Sequence, residues 1–279
     1  MHANKQRGLD MKFAAVGFVC VDVYQNLGVR YPTGNGIDLM FNLMDLMPDI
    51  EPAVIAAVGD DDHGRMLLDI CEKKHVDTSH VRIVKGGTTP TVEMRMNGTD
   101  RVHYHTERGV AECYQPTGEE MDFIRKQEVI HTDLSWHVTD LLPDMRKLGT
   151  QIYFDFSKRY QHPDVPKILR NIQYGIFSFE EETEEVRELL RMGCGLGAKI
   201  LLATFGEQGS LAYDGSTFYR EPCIKADNIV NTVGAGDSFG AGFLSGILQG
   251  KAIPEAMRAG AAKAAEIVQI FKPYHTPET

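Results

Sequence analysis

The sequence predicts an α/β protein with a mostly parallel central sheet and helices on both of its faces. Two observations carry this. From about residue 117 onward, strand-like and helix-like runs alternate, and such alternation demands crossover connections between parallel strands. The 279 residues, 43% of them hydrophobic, supply a sizeable core for one large α/β domain or two small ones.

The first ten residues, MHANKQRGLD, are polar, so they are expected to form a disordered extension, with the fold beginning at Met11. KFAAVGFVCVDVY (12–24) reads as a buried strand that runs into polar ground at Asp22. After a turn over 32–36, IDLMFNLMDLM (37–47) is apolar at helical spacing. AVIAAVG (53–59) is a second strand, and DDHGRMLLDICEKKH (61–75) is the helix after it. TPTVEMRMNGTDRVHYHTERG (89–109) alternates on both sides of Asn97-Gly98 and reads as a β-hairpin. Its faces mix polar and apolar residues, which suits a lid more than a core. EVIHTD (128–133), QIYFDFS (151–157), YGIFSF (174–179) and KILLATFG (199–206) are strand-like, with helical stretches between them. Two helices, 237–249 and 254 to about 271, close the chain. No repeat, low-complexity segment or linker interrupts it.

Composition narrows the function. The net charge of −10, without a run of Lys and Arg, argues against nucleic acid and anionic membranes as partners. A phosphate-bearing ligand, which needs only a local positive site, stays open. Five scattered cysteines and no C-x-x-C argue against a disulfide framework or zinc cluster and fit a reducing compartment. With no leader-like segment and no apolar run of bilayer length, the expectation is a soluble cytoplasmic protein.

In open sheets of this kind, ligands bind beyond the carboxyl ends of the strands. Asp22, Asp155, Ser178, Thr204 and the turn at 231–237 all fall near such ends. That turn belongs to NTVGAGDSFGAGFLSG (231–246). Gly234 and Gly236 permit backbone conformations closed to other residues and let a ligand approach. The N–H groups of Ala235, Gly236 and Asp237 would point out of a helix start, which is an anion site. Asp237 beside them is placed to take the proton of a hydroxyl attacking a phosphoryl group. The plainer reading, an acid that caps a helix, fits the same residues.

Competing motifs fit less well. A Walker loop needs a Lys before Ser or Thr, and none follows Gly236. Gly236-Asp237-Ser238-Phe239-Gly240 matches a nucleophile elbow, yet only His275 follows it to complete a triad. Gly193, Gly195 and Gly197 follow a helix and precede a strand, the reverse of a dinucleotide fingerprint. His103 and His105 share a strand face and read as polar lid residues before a metal pair. Asp60, Asp61 and Asp62 read as a turn and helix start.

NTVGAGDSFGAGF resembles the signature of the ribokinase/PfkB family of carbohydrate kinases, usually D-T-x-G-A-G-D, and the resemblance extends over nearly the whole chain. It implies a ribokinase-like three-layer α/β/α sandwich, a single kinase domain over 11–279, with a small β lid from about 20–36 and 88–110. In this reading Asp22, in VGFVCVDVY, binds sugar hydroxyls. TGN (33–35) resembles the sugar-site motif, so Gly34, Asn35 and Asp38 lie with the substrate; Asp38 stands where Asn is common. TFGEQGS (204–210) is similar to the nucleotide-binding turn, which places Thr204, Gly206 and Gly209 there. Adenine would lie against the helix holding Ala261, Ala262 and Lys263. Ser178 replaces a phosphate-facing Asn, and Glu181 keeps the acid that organises magnesium through water. Asn231 replaces an Asp that helps relatives hold a monovalent cation, which puts a cation requirement in question. Asp237 is the implied general base, with Gly234, Ala235 and Gly236 as anion hole.

NGTDRVHYHTERGV, YFDFSKRY, FSFEEET and TFGEQGSLAYDGSTFYRE are most similar to the fructoselysine 6-kinase branch. The implied activity is ATP-dependent phosphorylation of the 6-hydroxyl of a sugar derivative. Arg101 is placed with the substrate set; like Lys158, it also reads as a surface ion. Alternatives are a kinase for a free sugar or nucleoside, or a non-catalytic sugar-binding protein of the same fold. Open lid edges leave room for a homodimer.

Overall fold

The computed structural model describes residues 11–98, 100–147 and 149–276; the expected N-terminal extension lies outside them. Strand β1 (Lys12–Val16) leads to β2 (Cys20–Tyr24), β3 (Val29–Thr33) and helix α1 (Asn35–Leu46). β4 (Glu51–Gly59), α2 (Asp62–Lys73), β5 (Asp77–Val84), β6 (Thr91–Asn97) and β7 (Asp100–Glu107) follow. Next come α3 (Gly118–Ile124), β8 (Val129–Asp133), α4 (Leu142–Lys147), β9 (Gln151–Ser157), α5 (Val165–Leu169) and β10 (Tyr174–Ser178). The chain closes with α6 (Glu184–Leu196), β11 (Ile200–Thr204), β12 (Ser210–Tyr213), β13 (Phe218–Glu221), α7 (Ala235–Leu248) and α8 (Ile253–Ile267).

Nine strands form one sheet in the order β13-β12-β11-β10-β9-β8-β1-β4-β5. All neighbours from β11 to β5 pair in parallel, while β12 and β13 add an antiparallel edge that the sequence reading did not resolve. Successive strand residues alternate between two apolar layers. Phe13 and Ala15 of β1 and Val54, Ala56 and Val58 of β4 pack against α1, α2, α7 and α8. Ala14, Val16, Ile55 and Ala57 face the opposite layer of α3 to α6. The result is the expected three-layer α/β/α sandwich.

The run 12–24 is not one strand. Gly17 breaks it at φ 118°, where a β-carbon would meet the Trp136 ring. The second half, β2, joins a separate four-stranded sheet in the order β3-β2-β6-β7. Its inner tyrosines, Tyr24 and Tyr31, stack with ring centres 5.8 Å apart and pack on Phe271 near the C-terminus. His103 approaches Thr106 and His105 approaches Glu107, and no group of three or more His, Cys, Asp or Glu that could hold a metal occurs among the described residues. Asp61 caps α2 by accepting from Gly64 N at 2.8 Å, so the Asp60–Asp62 run is a helix start. Among the described residues no helix is long and apolar enough to cross a membrane.

Candidate active site

The turn before α7 is shaped by residues far along the chain. Gly234 caps the helix at φ 73°, and a β-carbon there would lie 2.4 Å from the Pro273 ring. Only glycine meets both demands without displacing the C-terminal segment. That segment is held in turn: Tyr274 Oη donates to Pro32 O at 2.5 Å, and Asn42 Nδ2 donates to Pro273 O at 2.8 Å. Asn231 is buried and ties the two stretches together. Its Nδ2 donates to Phe271 O at 2.9 Å, and its Oδ1 accepts from Val233 N at 3.0 Å.

Within the turn, Ala235 N donates to Thr232 O at 3.3 Å, so that amide is already engaged. The Gly236 N–H belongs to the first helical turn, where no intrahelical carbonyl is available. Nothing lies within 4 Å of a β-carbon built on Gly236, so this face is open. Asp237 is half-buried beside it. Ser238 is fully buried and its Oγ donates to Gly234 O at 2.7 Å, which removes it as an exposed nucleophile.

Gly236 also lines a cleft of about 490 Å³. One wall is the β11–β12 turn, with Thr204, Gly206 and Gly209; the other is Ala261, Ala264, Ala265 and Val268 of α8. Gly209, at φ 91°, lies where a β-carbon would be 2.3 Å from Glu221 O. The α8 residues follow i, i+3, i+4, i+7 spacing, one helical stripe. Ala262 is exposed and does not line the cleft, and Lys263 is buried against Asp45 and Glu266 at 3.0 and 2.8 Å. The cleft is apolar along α8 and leads to a helix start, so it can take a flat base at one end and anionic groups at the other.

The β10 end meets the same turn. Ser178 is in register with Thr204, Phe179 N donates to Thr204 O at 2.9 Å, and Gln208 Nε2 donates to Glu180 O at 3.2 Å. Glu181 follows, exposed and without an ion pair among the described residues, whereas Glu182 is held by Arg187 and Arg220. A solvent-facing carboxylate suits magnesium, which keeps its waters and is held chiefly by substrate phosphates, and Glu180 beside it is exposed as well.

A second polar cluster gathers where the start of α1 meets the carboxyl ends of β8 and β9. Asp22 is buried on β2 opposite Tyr31, whose phenol is pushed up by burial and then by Asp22. Gly34 starts α1 at φ 137°, and Asn35 Nδ2 donates to Asp155 Oδ2 at 3.0 Å. Asp38 accepts from Thr33 Oγ1 at 2.5 Å. Arg101 lies on β7 opposite Met96, near the hairpin tip, and its side chain falls outside the described residues.

Four residues here escaped the sequence reading. Asp133 and Asp155 are register partners at the carboxyl ends of β8 and β9, directly above the stacked pair His131 and Tyr153. Asp133 is buried, which raises its carboxyl above the usual range against the pull of Arg159. Asp155 is pushed up to about 6, first by burial and further by Asp133, against the Ser157 N–H and Arg159. Burial holds His131 down to about 3, so it is neutral. The signal for His131, Asp133 and Tyr153 was present: polar residues at i, i+2 in otherwise apolar strands. Arg159 carried no pattern of its own.

Comparison with known proteins gives the family and the fold. The model of the pfkB family of carbohydrate kinases matches residues 12–279. The chain is 31% identical over 256 residues to fructoselysine 6-kinases of Shigella flexneri and Escherichia coli K12, covering 92% of this chain and 97% of each relative. A fructosamine kinase of Bacillus subtilis is 29% identical over 265 residues, covering 94% of this chain and 92% of the relative. Arabidopsis thaliana ribokinase, solved with ribose and ATP, superposes with a TM-score of 0.77 at 18% identity, covering 94% of each chain. Ribokinase of Thermotoga maritima gives 0.80 at 16% identity, over 95% of this chain and 96% of that one. The fold is therefore ribokinase-like.

Proposed function

The chain belongs to the pfkB family of carbohydrate kinases, and we propose that it transfers the γ-phosphoryl group of ATP to the 6-hydroxyl of a fructosamine, fructoselysine foremost. One observation carries the reading: an acid, Asp237, directly follows Gly236, the cleft-lining glycine at the head of α7. Gly236 lines the nucleotide cleft, while the charge of Asp237 acts on Tyr153 together with Asp155 of the polar cluster. The fructosamine choice leans on the kinship with fructoselysine 6-kinases.

In this mechanism the base stacks along α8, and the triphosphate runs past the Thr204–Gly209 turn to the head of α7. Asp22 and Asn35 hold sugar hydroxyls. Asp237 accepts the proton of the 6-hydroxyl as that oxygen reaches phosphorus, and the Gly236 and Asp237 amides at the head of α7 hold the phosphoryl oxygens. Glu181 would hold magnesium through water; when bound, the ion neutralises charge on the phosphates. A coupled ADP-release screen over fructoselysine, other fructosamines, fructose, ribose and nucleosides tests the reading. A clear preference for fructosamines is expected; a strong preference for a free sugar or a nucleoside would overturn it.

The residues do not fit a monovalent-cation site at Asn231. The amide of Asn231 brings no negative charge, and its Nδ2 donates to Phe271 O at 2.9 Å, so a donor rather than an anionic ligand is turned toward that carbonyl. Turnover is expected to agree within about twofold in potassium, sodium and choline chloride, a difference below half a kcal/mol. A large rise in potassium alone would refute this, and Asn231→Asp is expected to create such a rise.

A further inference from the structure

Asp133 and Asp155 form a pair of neighbouring carboxylates, and the charge of Asp133 pushes the Asp155 carboxyl further up. They are adjacent across β8 and β9, and the Tyr153 phenol of β9 feels the charges of both Asp155 and Asp237. Against them stand Arg159, whose charge acts on both acids, and Arg108, which acts on Asp133 but pairs with Glu112 at 2.8 Å. From α1 only the neutral amide of Asn35 contributes. His131, directly beneath, is neutral and supplies no charge.

A second feature marks the place as built for a ligand. Tyr153 Oη and His131 Nε2 are buried and have no hydrogen-bond partner. The Tyr153 hydroxyl lies under α7, where it feels both Asp155 and Asp237. Asp155 itself remains half-open to solvent while bonded to Asn35 and Ser157. A polar, anion-rich basin with unused buried donors and acceptors is costly unless something cationic and hydrogen-bonding completes it.

We propose that Asp155, supported by Asp133, binds the protonated secondary amine on C1 of a fructosamine, and so selects aminated ketoses over free ones. This rests on the function proposed above. With the 6-hydroxyl at Asp237, the opposite end of the ketose carries C1 and its nitrogen. The amine supplies a positive charge and two N–H donors for the carboxylates. A free ketose presents a neutral hydroxyl there and brings no positive charge to the acid pair, which is the basis of the discrimination.

Steady-state kinetics of wild type and Asp155→Asn on fructoselysine and fructose test this. The fructoselysine-to-fructose ratio of kcat/KM is expected to fall at least about tenfold in the variant, mainly through a higher KM for fructoselysine. A ratio unchanged within about twofold overturns the inference and leaves the proposed function standing. Absence of fructosamine turnover by the wild type overturns both. A second measurement needs no variant: inhibition of the wild type by 1-amino-1-deoxyfructose and by 1-deoxyfructose at pH 7. The amine is expected to bind at least about tenfold tighter, and equal binding refutes the subsite.

Discussion

Asp237→Asn is expected to lower turnover by two or more orders of magnitude, the scale of a lost general base, with little change in the KM for ATP. The substitution keeps shape and hydrogen bonding but removes proton acceptance at the head of α7. Its structural cost is small. The α7 cap is Gly234, and no side chain caps the helix, so the fold does not depend on Asp237 as a cap, and its charge at the helix start is the term that the amide removes. That is worth about 0.3–1 kcal/mol, far too little to unfold the chain. Coupled ADP release at saturating sugar, with a thermal melt alongside, separates the two effects. Near-normal turnover would remove Asp237 from the chemistry and return it to the plainer role of a charge at a helix start.

How much of this was legible in the sequence depends on how local each feature is. The turn 231–237 could be read because its glycines, acid and following apolar helix lie within one short stretch. The alternating strands and helices were equally readable, since hydrophobic periodicity is local. What failed was set by distant contacts. The strand at 12–24 divides because Gly17 must clear Trp136, 119 positions away in a loop after β8. The bond from Asn35 to Asp155, 120 positions on, had no local signal, although Asn35 itself could be read from its motif. The segment at 271–274 carried no periodic signal, but it buttresses Gly234 and accepts from Asn231. Ala262 was placed at the nucleotide by its neighbourhood, whereas helix phase turns Ala261, Ala264 and Ala265 to the cleft instead.

The two glycines of the turn give the sharpest separation of fold from chemistry. Gly234→Ala forces a side chain to φ 73° and drives a methyl group into Pro273. The left-handed conformation costs about 1–2 kcal/mol. Displacing the Pro273 backbone adds to that, so a fall in melting temperature of roughly 5 °C or more is expected, with activity lost alongside. Gly236→Ala is the opposite case. Its backbone is helical and its β-carbon meets nothing within 4 Å, so alanine is tolerated and favoured by helix propensity. Stability is expected to hold or rise slightly. If the terminal phosphoryl group docks on this face, however, the new methyl occupies its space, and kcat/KM for ATP should drop by about tenfold or more. A stable Gly236→Ala variant with normal kinetics would mean that the open face at the head of α7 receives no phosphate, and the site would have to be sought elsewhere in the cleft.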